Sequence, residues 1–235
     1  MKRVLVVAAH PDDEVLGCGG AIARHVAAGD HVDILILAEG VTSRDESRDP
    51  DARREDVDDL RAAALDAANA LGANTVVFGG LPDNRMDRVE LLDVVKLVER
   101  ELQRLAPQIV YTHHMYDLNI DHQITSRAVM TACRPLPASS RTTILHFETV
   151  SSTEWQPWGA AGGFTPNWFV DITDVLEAKM QALQRYQSEV RESPRARSFE
   201  TIRALAALRG ATAGCSFAEA FMLARHIEGG LPPDG

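Results

Sequence analysis

Positive charge is what this chain most lacks: 24 Lys and Arg stand against 34 Asp and Glu, for a formal net charge of -10. A nucleic-acid partner needs a basic face to meet its phosphates, so nucleic acid is excluded as the main partner. A local cluster of arginines could still serve a phosphorylated small molecule. Cysteine is also scarce. Cys18, Cys133 and Cys215 are odd in number, far apart and form no CxxC pair. That excludes a disulfide framework and reads as free thiols in a reducing compartment. No stretch approaches the roughly 18 apolar residues of a membrane span. The opening "MKRVLVVAAHPDDE" begins like a signal peptide, but its apolar run is only about six residues long before it meets Asp12 and Asp13. The expected location is therefore the cytoplasm.

There is no internal repeat, no low-complexity tract and no linker that would divide the 235 residues. The hydrophobic content of 45% and charged content of 25% are those of an ordinary soluble globular protein. The chain reads as one domain, 1–235, long enough to bury a sizeable core.

What is present is an alternation of strands and helices. Val4–Ala9 is a continuous, β-branched-rich apolar run, as expected of a central parallel strand buried on both faces. Glu14–Ala28 reads as a helix, His31–Leu37 as a strand, Arg53–Leu71 as a helix closed by Gly72, and Thr75–Phe78 as a strand. Glu90–Leu105 is helical up to Pro107, Gln108–Thr112 is a fourth strand, and a helix runs from about His122 to Cys133. Thr142–Glu148 and Trp168–Ile172 read as later strands. Thr173 is expected to cap a long helix to about Val190, Phe199–Leu208 is helical, and Phe217–Ile227 reads as a final helix. The pattern implies an α/β fold, Rossmann-like and doubly wound, with a mostly parallel sheet covered by helices on both faces.

In such sheets ligands bind beyond the carboxyl ends of the strands. The polar clusters all follow strands: "HPDDE", "EGVTSRD", "PDNRMD" and "HHMYDLNIDH". Carboxylates crowded as in Asp12-Asp13-Glu14 repel one another unless a cation sits among them. A metal is the simplest cation. His10 and Asp13, three apart at a strand-to-helix turn, can face the same way, and His122 can supply a third ligand from the fourth loop. Two histidines and a carboxylate leave positions open, as a catalytic zinc requires. An acidic first turn favouring the helix dipole would explain "HPDDE" alone, but not its pairing with Asp121-His122 on the same rim. Gly17, Gly19 and Gly20 lack the G-x-G-x-x-G spacing and follow an acidic cluster that would repel a pyrophosphate, so no dinucleotide is expected.

"AAHPDDE" followed by "IDHQ" resembles the PIG-L/LmbE-like zinc N-deacetylase family, whose members remove acetyl groups from N-acetylglucosamine carried on various aglycones. The resemblance covers the first half of the chain well. "DNRMD", "SSTEW" and "AEAF" look similar to bacterial members, with less specificity. It implies one zinc per chain, bound by His10, Asp13 and His122, with Asp12 as general base and Asp121 holding a ligand imidazole in its tautomer. Fe2+ or another divalent ion would fit the same ligands. Where the family carries a histidine just ahead of the final Asp-His pair, this sequence has Asn119. Asn119 can donate a hydrogen bond but cannot shuttle a proton.

The expected substrate is a small N-acetylated amino sugar or its conjugate. Arg44 and Arg85, in rim loops, could bind sugar hydroxyls or a phosphate. Trp155 could stack on a sugar ring, and His113 or His114 could touch substrate, although each of these residues would be equally at home in a structural role. Two other readings compete. Two histidines and a carboxylate also suit a non-haem Fe(II) oxygenase, which has no need of an adjacent base. Asn119 would also suit a catalytically inactive sugar-binding module. Association into a homo-oligomer is compatible with all three.

Overall fold

The computed structural model describes residues 1–135, 141–157 and 162–228. Seven strands form one sheet in the order β3-β2-β1-β4-β5-β7-β6. In chain order the elements are β1 (Arg3–Ala8), α1 (Asp13–Ala27), β2 (His31–Ala38), α2 (Arg54–Leu71), β3 (Thr75–Leu81), α3 (Leu91–Leu105) and β4 (Ile109–His113). They continue with α4 (Ile120–Ala132), β5 (Thr143–Phe147), β6 (Trp168–Asp171), α5 (Leu176–Leu183), α6 (Phe199–Ala213) and β7 (Ala218–Arg225).

β1 pairs in parallel with β2 and β4, β2 with β3, and β4 with β5. The strand order reverses between β1 and β4, and in doubly wound sheets that reversal opens a crevice at the carboxyl ends of the two strands. Side chains of β1 alternate between two cores. Val4 and Val6 join Ile34, Ile36 and the apolar faces of α1, α2, α5 and α6. Leu5 and Val7 join Leu35, Leu37 and the faces of α3 and α4. Both faces of the central strand are therefore covered, as its unbroken apolar run implied.

The C-terminal third departs from the sequence pattern. The expected last helix is a strand: β7 runs antiparallel between β5 and β6. "AEAFMLAR" is rich in helix formers, but two open strand edges on either side of it outweigh local propensity. The long helix expected from Thr173 to Val190 is only α5. Thr173 does not cap it; its hydroxyl accepts from the Phe217 amide and so ties β6 to the start of β7. The three cysteines are free thiols. Among the described residues no helix is long and apolar enough to cross a membrane.

Candidate metal centre

The chain leaves β1 through Ala9 and His10 and turns sharply at Asp12, whose φ of 104° is left-handed backbone that side-chain-bearing residues rarely adopt. Such strain persists where the surroundings over-determine it, and it gathers at functional sites. Here Glu14 accepts from the Asp12 amide at 3.1 Å, and Tyr186 donates to the other Glu14 oxygen at 2.5 Å. Burial pushes the Glu14 carboxyl up to about 7. Gly40 packs the loop after β2 directly on this turn; a Cβ there would lie 2.9 Å from Pro11.

The turn presents His10 and Asp13 together. Asp13 Oδ2 accepts from the His10 amide at 2.9 Å and lies 3.1 Å from His10 Nδ1. α4 brings the third group. Asn119 caps that helix by accepting from the Asp121 amide at 2.8 Å, which places Asp121 and His122 in the first turn. His122 Nε2 is 3.2 Å from Asp13 Oδ2. The ligand atoms of His10, Asp13 and His122 all lie within 4.8 Å of one another, and all three residues are buried.

Each imidazole is fixed from behind. His10 Nε2 is 3.0 Å from Asp121 Oδ2, and His122 Nδ1 is 3.1 Å from Asp117 Oδ1. A ring nitrogen that donates its hydrogen to a carboxylate leaves the other nitrogen's lone pair free for a metal. Asp121 is held in turn by the amides of Asn84 at 2.7 Å and Met86 at 3.0 Å, so the loop after β3 is fastened to the same point. Asp117 accepts from the hydroxyls of Ser152 and Thr153. Although burial opposes its charge, His122 and those hydroxyls take the Asp117 carboxyl down to about 2.

The residues fit a divalent cation. Asp13 Oδ1 and both ring nitrogens of His122 are buried and make no hydrogen bond of good geometry, so the imidazole meets Asp117 and Asp13 as close charge contacts only. Asp12, Asp13, Asp83, Asp117 and Asp121 are all buried around them. Burying charge at that density is costly unless cations neutralise it. Burial disfavours a charge on His10, yet Asp121 and Asp13 raise it well above its ordinary range, so these acids are poised for a positive guest. Burial likewise opposes ionisation of Asp13, but the imidazoles of His122, His113 and His10 hold it well below the carboxylate range. His10, Asp83 and Asp121 form a second close grouping. It suits a metal less well, because backbone amides already occupy both oxygens of Asp121, and Asp83 accepts from Ser43 N and Asn84 Nδ2.

Asp12 lies beside the three ligand candidates. One of its oxygens, Oδ2, is 2.6 Å from Arg197 Nη1, and the other, Oδ1, is buried without a partner. Burial pushes the carboxyl up and Arg197 pulls it down, with a net rise well above the ordinary value.

Two of the substrate candidates, Trp155 and Arg44, meet at Glu189, which neighbours the Asp12 partner Arg197. Trp155 is 59% exposed and lines an open cleft of about 630 Å³ with Ser151, Glu189 and Arg197. Arg44 pairs with Glu189 at 2.5 Å. Arg85 Nη2 donates to the Glu46 carbonyl at 3.5 Å, and among the described residues its Nε is buried without a partner. His113 is not placed to meet substrate. It is fully buried, stacks on His122 at 3.9 Å, accepts from the Ala9 amide at 2.9 Å and has its Nδ1 3.3 Å from Thr149 Oγ1. It props up the His122 ring. His114 Nε2 donates to the Gly162 carbonyl at 2.7 Å.

Sequence reasoning missed Asp83, Asp117, Glu14, Tyr186 and Arg197. Asp117 and Asp83 lay inside rim segments already singled out; Asp117, five residues before His122, was a usable signal, whereas Asp83 has no candidate histidine near it in sequence. Arg197, 185 residues from Asp12, gave none.

Known proteins bear on this arrangement. The chain is 27% identical over 193 residues to the uncharacterized deacetylase YaiS of Escherichia coli, covering 80% of this chain and 91% of that protein. It is 27% identical over 227 residues to the diacetylchitobiose deacetylase of Thermococcus kodakarensis, covering 93% and 82%. The crystal structure of GalB, the 4-carboxy-2-hydroxymuconate hydratase of Pseudomonas putida, superposes with a TM-score of 0.77 at 25% identity, covering 98% of this chain and all of that one. The family pattern described as PIG-L, GlcNAc-PI de-N-acetylase, matches residues 5–133, which include every candidate ligand and the aspartates behind them. The chain belongs to the PIG-L family of de-N-acetylases.

Proposed function

We propose that this protein is a zinc-dependent deacetylase that hydrolyses the acetamido group of an N-acetylated amino sugar or its conjugate, with residues 1–235 acting as one catalytic domain. The observation that carries the reading is the convergence of His10 Nδ1, Asp13 and His122 Nε2, each imidazole backed by its own carboxylate, beside a buried carboxylate with one free oxygen. The deacetylase names of the two sequence relatives support the same chemistry.

His10, Asp13 and His122 would hold the ion. A divalent cation bound there supplies Lewis acidity and brings the pKa of a bound water to about 7. Asp12 Oδ1 would take a proton from the water that adds to the acetamido carbonyl and return it to the departing amine. Asn119 keeps one amide hydrogen on Asn84 Oδ1 at 2.8 Å and has a second to offer to the carbonyl oxygen. With no imidazole there, Asp12 serves as both base and acid. Trp155 and Arg85 are the rim groups that offer a sugar a stacking face and a donor.

The likeness to GalB supports a second reading, addition of water to a carbon–carbon double bond of an unsaturated carboxylic acid at the same centre. One experiment separates the two. The zinc-loaded protein is incubated with a panel of N-acetylated sugars, including N,N′-diacetylchitobiose, and with an unsaturated hydroxy-diacid. Release of acetate with a matching free amine is the expected result. Hydration of the diacid with no acetate from any sugar would overturn the proposal, and acetate production that persists after metal removal would overturn its zinc dependence.

A further inference from the structure

We propose that Arg197 is the positioning residue for Asp12: its guanidinium fastens one carboxylate oxygen and leaves the other as the single proton acceptor of the site. The proposal rests on the reading of Asp12 as general base. Arg197 Nη1 is 2.6 Å from Asp12 Oδ2, with side chains 25% and 3% exposed. The arginine is itself anchored at both ends. Its Nε donates to Ser151 Oγ at 2.8 Å, and its carbonyl accepts from the Arg191 amide at 3.1 Å. Ser198, the next residue, caps α6 by accepting from the Thr201 amide at 3.2 Å, so the helix start fixes where the guanidinium stands.

The geometry assigns each oxygen a task. Oδ2 is occupied by a permanent cation, and Oδ1 is buried and unpartnered. Asp12 sits between Pro11 and Asp13 on a backbone with φ of 104° and has Glu14 as a like-charged neighbour. Without a fixed cation its carboxylate would be free to rotate, and an acceptor misplaced by about 1 Å can cost on the order of 10²-fold in rate. The guanidinium suits the task because it is planar, rigid and always charged. Nothing near Asp12 in sequence supplies such a group. The C-terminal third therefore completes the chemistry of the N-terminal motif.

A competing role must be separated, because Arg197 also lines the cleft that holds Trp155 and could anchor substrate directly. The test uses the zinc-loaded enzyme and N,N′-diacetylchitobiose, or whichever N-acetyl sugar of the panel yields acetate. kcat, KM, zinc content and melting temperature are measured for Asp12→Asn, Arg197→Ala, Arg197→Lys and the Asp12→Asn/Arg197→Ala double variant. Arg197→Ala is expected to lower kcat on the order of 10²-fold with KM and zinc content unchanged. Guanidinium ion at millimolar concentration should restore part of the loss. Arg197→Lys, which keeps the charge and much of the side chain's packing, should retain more activity than alanine. The double variant should be no slower than Asp12→Asn, because a residue acting only through Asp12 has nothing left to position. A raised KM with kcat intact, or losses that multiply in the double variant, would overturn the proposal in favour of substrate anchoring. Wild-type turnover by Asp12→Asn would instead overturn the base reading, and this inference with it.

Discussion

Asp117 Oδ1 lies 3.1 Å from Nδ1 of His122, on the side of the ring opposite the nitrogen that faces Asp13. That close carboxylate favours a hydrogen on Nδ1 and leaves the lone pair of His122 on the side facing Asp13. Removing the carboxylate's charge while keeping its shape should loosen the ring's tautomer and orientation without touching a ligand. Asp117→Asn is expected to cost 10–100-fold, roughly, in metal affinity or activity. Zinc titration by competition with a chromophoric chelator checks it; an unchanged affinity together with unchanged kcat would remove Asp117 from the centre.

Truncating a ligand should be harsher. His10→Ala and His122→Ala are each expected to lose bound metal and turnover together, measured as metal per chain by elemental analysis beside acetate release. Full activity in a metal-free preparation of either variant would contradict the assignment. Chelation of the wild-type protein should lower its melting temperature, because a metal held at 100 times its Kd stabilises the folded state by about 2.7 kcal/mol. Readdition of zinc should restore the melting temperature and activity together.

Asp12 and Asn119 should separate cleanly. Asp12→Asn is expected to lower kcat by about 10²–10⁴-fold, the usual contribution of a general base, with metal still bound. Asn119→Ala removes the cap of α4 and should cost about 1 kcal/mol of stability. Its kcat should fall less than that of Asp12→Asn, since it offers at most one neutral donor to the carbonyl oxygen. Steady-state kinetics and urea unfolding of both variants give the comparison, and the reverse order of kcat losses would sink this division of labour.

A stability prediction concerns the middle of α1. The helix kinks at Cys18, and the amides of Gly20 and Ala21 beyond the kink are capped by Glu219 of β7 at 2.8 and 2.7 Å. Lys179 of α5 pairs with the same carboxylate at 2.6 Å, both side chains buried. Lys179→Met strands that charge and should cost about 3–5 kcal/mol in urea unfolding, whereas adding Glu219→Gln to it should recover part of the loss. A loss in the double variant equal to the sum of the two single losses would show that the pair does not act as a unit.

The sequence alone was enough for the parallel half of the fold and for the centre's three candidate ligands. A β-branched apolar run such as Val4–Ala9 has few alternatives to a buried central strand, and an imidazole with crowded carboxylates at its end has few alternatives to a cation. These signals are local, carried within a turn and the two elements beside it. The tertiary structure decided what depends on partners distant in sequence. Phe217–Ile227 reads as a helix by propensity and became β7 because β5 and β6 flank it. His113 reads as a rim group and became the prop beneath His122 because β4 carries it inside. Trp155 stands in its cleft because the chain after β5 lies beside Glu189 and Arg197, more than 30 residues further on. The arginine that meets Asp12 lies 185 residues away, and no spacing rule reaches that far. Local physical chemistry pointed to the candidate ligands, and long-range packing chose the groups set behind them.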